Sequence, residues 1–449
     1  MQLLKTIFVL VSSVLLAEAS TSKQKVFSPY ALTNRTLVLY DERVQQDFTS
    51  EYSKLLQLIK SIGSEVDVKP IQPDSSIAIF NEYQERIYDN LLVMPSKARA
   101  LANDLDFKTL EEFSKKGGNM LLLTSSLGSQ TDVSVFLNQL GIYPSPKNYK
   151  LVDYHHSDEE QSAVVSIENP AFLNSQIVPA DAQVSQLSYE DGSAAVLATN
   201  EFLVPVLRAS ETSITYDLNR GFVGSQSTWH SGSDGFLMVA HQARSNARVF
   251  WAGSSSFLSD SHFQNAFADG ILKWVEQING VLKSDLFEHT KVDKDGTPLA
   301  VQDEYKVKDF CKFDTALSKW NGTAWAPYKV DDVQLEFIML DPYYRLNLTL
   351  DHTSDSSAFY SMTFQIPDHH GMFTFKVDYS RPGLTFLKQY SVVPVRHLAN
   401  DEYPRSWEIT NSWVYVASFL SVVIAWLVFV FLFIVSGKKP LASTEKKNE

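Results

Sequence analysis

An α/β doubly wound domain with a β-rich insertion, then an antiparallel β-sandwich and one transmembrane helix, is the architecture this sequence predicts. Three observations point to it. Short apolar runs alternate with helically spaced segments over the first third of the chain, apolar residues recur at every second position after Gly280, and no charge interrupts the stretch from Trp413 to Val435.

Within the first region, the runs at 36–40, 66–70, 90–94 and 119–123 read as strands, and 48–62, 109–116 and 133–140 read as helices. Alternation of this kind predicts a parallel sheet with helices on both faces. Residues 151–235 break the pattern with short alternating runs at 194–199 and 202–207 and many Ser, Asp and Gly, so that part is expected to be β-rich and partly antiparallel. The run at 247–252 is a strong strand that leads through Gly253 and three serines into a helix ending near Ile278, a unit expected to return to the first sheet.

After Gly280 the period becomes two, with Val333, Leu335, Phe337 and Met339 on one face of a strand and Phe373, Phe375, Val377 and Tyr379 on another. Breaks at Pro342, Pro367, Gly371, Pro382 and Gly383 then suggest a sandwich.

The two ends carry targeting information. Lys5, an apolar run over 7–16 and Ala17-Glu18-Ala19 have the three parts of a cleavable signal, so cleavage is expected after Ala19. At about 1.5 Å per residue, 413–435 reaches roughly 34 Å, enough to cross a hydrocarbon core. Lys438 and Lys439 follow it while Asp401, Glu402 and Glu408 precede it, which predicts a cytosolic tail and a lumenal amino-terminal part. The expected organisation is a signal peptide at 1–19, an α/β domain at 20–280 with the β-rich part at 151–235, a sandwich at 281–400, a linker at 401–412, the membrane helix at 413–435 and a tail at 436–449. Lys446 and Lys447 stand fourth and third from the carboxyl end, the di-lysine register that retrograde coat proteins read. On the membrane helix, Ala417, Ser421 and Ala425 recur every four residues and form a small-residue face suited to a partner helix, the rest contacting lipid.

A net charge of −13 argues against a nucleic-acid partner, which needs a basic stripe. Cys311 is the only cysteine, so no internal disulfide is available and stability must come from the core. Sequons at Asn34, Asn321 and Asn347 are glycan-acceptor candidates; Asn34 adjoins a buried strand, which favours the other two.

Several segments together resemble a known family. They are 87–92 (IYDNLL), 242–248 (QARSNAR) with Gly253 and Ser259-Asp260-Ser261, 331–337 (DDVQLEF) with Asp341-Pro342, and 375–379 (FKVDY), and 401–414 resembles the yeast juxtamembrane segment. This set is similar to the forty-eight-kilodalton subunit family of the oligosaccharyltransferase, called wheat-germ-agglutinin-binding protein in yeasts, and the yeast-type form fits best. The resemblance implies an endoplasmic-reticulum accessory subunit without cofactor or catalytic centre, since the family's glycan transfer is performed by a separate multi-spanning subunit. It also implies ribophorin II-like and defender-against-death-like partners. The rival from another class is a membrane lectin or cargo receptor of the early secretory pathway.

Chemical motifs weigh little against that. Gly253-Ser254-Ser255-Ser256-Phe257 approximates a nucleophile elbow but lacks the final glycine, so a helix-capping serine is the plainer assignment. Asp153 with His155 and His156, and Asp368 with His369 and His370, hold metal-binding residue types, but adjacent histidines point to opposite sides of a strand and no third ligand is spaced to join them. Asp331-Asp332 and Asp158-Glu159-Glu160 read as solvated charge. Arg244 and Arg248 are the candidates for a phosphate contact, because arginine forks bind phosphate bidentately; the alternative is a hydrogen bond to a buried carbonyl or a structural ion pair.

Overall fold

The computed structural model describes residues 26–72, 76–128, 130–155, 166–220, 224, 227–299, 304–400, 402–403 and 411–437. The expected signal peptide at 1–19, His156, the acidic run at 158–160 and the proposed di-lysine signal at 446–447 lie outside these residues.

Four strands open the fold: β1 (Arg35–Tyr40), β2 (Glu65–Pro70), β3 (Asn90–Val93) and β4 (Asn119–Leu123). They lie in the order β2-β1-β3-β4, all parallel, and the strand Arg248–Ala252 adds in parallel beside β4. Their nearly unbroken apolar sequences follow from burial on both faces. Val38, Leu92, Leu121 and Phe250 point into one core with the helices Ser53–Ile62 and Asn265–Val275. Leu37, Leu39, Leu91, Val93, Met120 and Leu122 point into the other with the helices Phe107–Lys115 and Thr131–Leu140.

The expected helix over 48–62 is interrupted. Phe48–Glu51 stops at Tyr52, and a second helix begins at Ser53 because the Asp260 carboxylate accepts the amides of Ser53 (3.2 Å) and Lys54 (2.9 Å). Gly63, at φ 101°, ends that helix. A second departure lies after Gly253, where the serines enter only the 3₁₀ turn Ser256–Leu258 and the α-helix starts at Asn265. Ser255 makes no capping bond there; Ser254 Oγ instead donates to the Glu190 carbonyl at 2.7 Å.

The β-rich part is less separate than its composition suggests. Tyr149–Asp153, Ser213–Asp217 and Thr228–Ser231 form their own three-stranded antiparallel sheet. Ala195–Leu197 and Leu203–Arg208 instead pair with the strand Phe236–Gln242, and Ile142–Pro144 pairs with Ala195–Leu197, which extends the main sheet to nine strands.

Two five-stranded sheets make up the region after Gly280. They enclose one core, with Cys311, Phe313 and Tyr360 from one sheet against Leu335, Phe337, Phe373 and Phe375 from the other. Period-two burial selects these residues, and Phe337 stacks on Phe373 at 4.6 Å between ring centres. One pairing departs from the antiparallel expectation: Tyr305–Lys306 runs parallel to Leu387–Arg396. Cys311 is a free, buried thiol whose pKa burial pushes up to about 12, so it behaves as a small apolar side chain.

Residues 26–34 form a strap across both regions. The Phe27 amide donates to the Gly322 carbonyl at 3.1 Å, Trp320 Nε1 donates to the Phe27 carbonyl at 2.9 Å, and the two rings meet edge to face. Further on, the amides of Leu32, Thr33 and Asn34 all donate to Asp89 Oδ2. At the other end of the chain, Ser412–Ser436 is a single helix long and apolar enough to cross a membrane, with its apolar side chains exposed.

Candidate functional site

A dense polar network forms a buried junction between the α/β region and the two later sheets. It begins with the hairpin between the strands Phe236–Gln242 and Arg248–Ala252, whose turn requires Asn246 at φ 63°, a conformation asparagine tolerates. Asn246 Oδ1 accepts the Phe386 amide at 3.0 Å, and its carbonyl accepts Gln277 Nε2 at 2.8 Å. The same Gln277 nitrogen donates to Asn119 Oδ1 at 2.9 Å, so one hairpin ties β4, the end of the Asn265–Val275 helix and the final hairpin of the chain together.

Arg248 is the centre of this junction. Only 1% of it is exposed, and its guanidinium donates to the carbonyls of Trp274 (2.6 Å), Asn279 (2.5 Å) and Gly280 (2.9 Å) while lying 4.9 Å from the Trp274 ring centre. Burial lowers its pKa to about 9, which leaves it charged at neutral pH. The three carbonyls sit where a helix ends, and cationic donors there satisfy orphaned acceptors and complement the helix dipole. From the far side, Trp274 Nε1 donates to the Gly383 carbonyl at 2.9 Å, and Thr385 bonds Gly280 through both its amide and its hydroxyl. Gly280, at φ 69°, is needed because a β-carbon there would lie 2.5 Å from the Gly383 oxygen.

This geometry separates the two arginines proposed to contact phosphate. Arg248 is enclosed and bonded to backbone carbonyls, so its fork is closed to a phosphate from solvent; the carbonyl alternative is what the structure contains. Arg244 is exposed in the turn and lies 5.3 Å from the Phe202 ring centre. Trp274, Gln277, Gly280, Gly383 and Thr385 were not singled out as site residues from the sequence, where the only local signal was the glycine breaks.

The remaining site residues are dispersed. Asn34 is exposed at the end of the strap, but the Thr36 of its sequon is buried with its hydroxyl against Ser64 and the Asn90 amide. Asn321 is exposed in a turn where Oδ1 accepts the amides of Thr323 and Ala324, and Asn347 is exposed with Oδ1 held by Gln334 Nε2. Asp153 accepts the hydroxyls of Ser210 and Thr212, His369 bonds the Tyr343 hydroxyl, and Asp332 accepts from Tyr379 and Arg381, so these residues serve local structure. Ala417, Ser421 and Ala425 all lie in the Ser412–Ser436 helix, where Ser421 Oγ donates to the Ser418 carbonyl at 2.7 Å.

Residues 29–287 match the family model described as OST48, N-terminal domain, and residues 289–437 match the OST48 middle domain. The chain belongs to the OST48 family. It is 37% identical over 431 residues to the dolichyl-diphosphooligosaccharide–protein glycosyltransferase subunit WBP1 of Saccharomyces cerevisiae, covering 95% of this chain and 97% of that one. Identity is 31% to wbp1 of Schizosaccharomyces pombe, over 88% and 92% of the two chains, and 27% to the 48 kDa subunit of Drosophila melanogaster, over 92% and 94%. The segments that carry the OST48 resemblance build joints: 242–248 forms the Arg248 junction, Asp89 holds the strap, Asp260 starts the Ser53–Ile62 helix, and Asp332 ties down Tyr379 and Arg381.

A cleft beneath the strap gives one pH-dependent expectation. Glu276 lines it with Arg86, Asp89 and Asn119, and burial, then the nearby Asp89 charge, raises its pKa from 4.5 to about 8. The folded chain therefore binds this proton more tightly than the unfolded chain, a contribution fully present below 4.5 and lost as pH rises toward 8. At about 1.4 kcal/mol per unit, the window amounts to roughly a few kcal/mol. Glu276→Gln is expected to flatten the fall in melting temperature between about pH 6 and pH 8.5. A wild-type slope retained in the variant would place the titration elsewhere.

Proposed function

We propose that this chain is an accessory, non-catalytic subunit of the oligosaccharyltransferase, which transfers a preassembled glycan from dolichyl diphosphate to the asparagine of Asn-X-Ser/Thr sequons. The observation that carries this is the OST48 match across 29–437, together with relatives, matched over 92–97% of their own length, named as subunits of that transferase. Supporting it, the polar joints of the structure fix chain segments to one another, as a scaffold requires. The lectin or cargo-receptor alternative has no observation in its favour.

In finer detail, the proposed arrangement is a doubly wound α/β domain at 20–280 and a β-sandwich at 281–400, both lumenal and hung from the one helix in the endoplasmic-reticulum membrane. Charge on either side of that helix supports the orientation. The signal at 1–19, glycans on Asn34, Asn321 and Asn347, and retrieval through Lys446 and Lys447 belong to the same proposal. So does docking of the Ala417, Ser421 and Ala425 face against partner helices of the ribophorin II-like, defender-against-death-like or multi-spanning catalytic subunits.

Affinity purification of the full chain in mild detergent, followed by mass spectrometry, is expected to recover the other transferase subunits stoichiometrically. Depletion of the chain should lower glycan occupancy on many secreted proteins. Recovery of the chain alone would end the assignment. In the same experiment Ser421→Ile, which places a branched side chain on the small face, should loosen the association; equal retention through a detergent titration would move the docking face elsewhere.

A further inference from the structure

A cavity of about 280 Å³ lies beyond the carboxyl ends of β3 and β4, bounded by 96–99, by Leu127 and Gly128, by the start of the Thr131–Leu140 helix and by 145–147. Loops at this edge of an open α/β sheet are where ligands ordinarily bind. Its lining contains Lys97, Arg99 and Lys147, and no carboxylate. Among the described residues none of the three cations forms an ion pair, in a protein of net charge −13.

A further observation points to a ligand. Ser145, a lining residue only 6% exposed, has a hydroxyl with no hydrogen-bond partner. Such a buried donor is costly unless something bonds it. Thr131 and Ser134 bring the first turn of a ten-residue helix to the same wall, and that end of a helix favours anions. Asp132, the acid of that turn, accepts the Phe107 amide and faces Asp106. Asp41 lies beneath: burial alone would raise its pKa, but bonds from Ser96, Arg43 and the Lys97 amide bring it to about 2, and the same bonds fix the loop that carries Lys97 and Arg99.

We propose that this cavity binds a phosphate-bearing anion, with Lys97, Arg99 and Lys147 supplying charge and Thr131 and Ser145 supplying hydroxyl donors. The site stands on the cavity itself and is independent of the role assigned to the chain in the transferase. The phosphate can come from a soluble diphosphate or from the headgroup of a polyprenyl diphosphate.

Hydrogen exchange of the full chain, purified with its associated subunits in mild detergent, tests this at the level of local peptides. Inorganic pyrophosphate and, separately, a polyprenyl diphosphate in the same detergent are the probes. Protection of 96–99 and 130–134 by pyrophosphate assigns a soluble source, and protection by the lipid alone assigns a headgroup. The combined Lys97→Ser, Arg99→Ser and Lys147→Ser variant should raise the concentration needed by about tenfold or more, with exchange in β1 and β3 unchanged as the check on folding. Lys147→Ser alone, on an exposed loop, should weaken protection in the same direction if the triple variant disturbs the sheet. Absence of protection by both probes, or equal protection in the variants, overturns the proposal.

Discussion

Arg248→Ala is expected to be among the most damaging single changes in this chain, lowering stability by about 3–5 kcal/mol through lost charge-assisted bonds and an unfilled cavity. Trp274 and Gly280 have other donors to their carbonyls, from Gln277 and Thr385, but the Asn279 carbonyl would lose its bond to the guanidinium. The Trp274 ring would lose the cation lying against it. Arg248→Lys should rescue little, because one ammonium cannot reproduce a fork that reaches three carbonyls. In thermal unfolding of the purified complex the melting temperature should fall by roughly 10 °C. Arg244→Ala, in the exposed turn, should change it little. An equal fall for the two arginines would refute the junction.

Gly253→Ala should be comparably severe for a steric reason. A β-carbon at 253 would lie 1.9 Å from the Ser193 carbonyl oxygen and 2.5 Å from the Tyr189 hydroxyl. Relief would require the end of the Arg248–Ala252 strand to move from the 189–193 loop. The 3.0 Å bond from the Ser193 amide to the Gly253 carbonyl and the 2.8 Å bond from Tyr189 to Ser193 would both be strained or broken. Tyr189 is fully buried, so it has no room to rotate away. A loss of about 3 kcal/mol is expected, read as faster proteolysis at 189–193 and a lower melting temperature. A variant with wild-type values in both would show that the contact is softer than the geometry states.

The parts of the fold legible in the sequence are those governed by local periodicity. β4 occupies 119–123, and Leu335, Phe337, Phe373 and Phe375 are all fully buried, because alternation and apolar runs report directly which face meets the core. Boundaries set by distant groups were not legible. The break at Tyr52 depends on a carboxylate more than 200 positions later, and the delayed start of the Asn265–Val275 helix depends on serines that bond to Glu190 and to one another. The junction was half visible. Arg244 and Arg248 stood out as a pair, but only the folded chain shows that one faces solvent and the other bonds Trp274, Asn279 and Gly280, partners that pattern alone does not bring together.

The strap at 26–34 also sets an order of events during synthesis. Phe27 precedes its partner Trp320 by 293 positions, which at ~5–20 residues per second leaves it unanchored for roughly 15–60 s while the ribosome makes the intervening chain. Asn34 is the last residue of this segment, and Thr36, just beyond it, becomes buried when β1 pairs with β2 and β3. The two ends of the strap are thus fastened at different times: the Asn34 end can close on Asp89 after 55 further residues, and with it the proposed acceptor site, while the Phe27 end waits for Trp320.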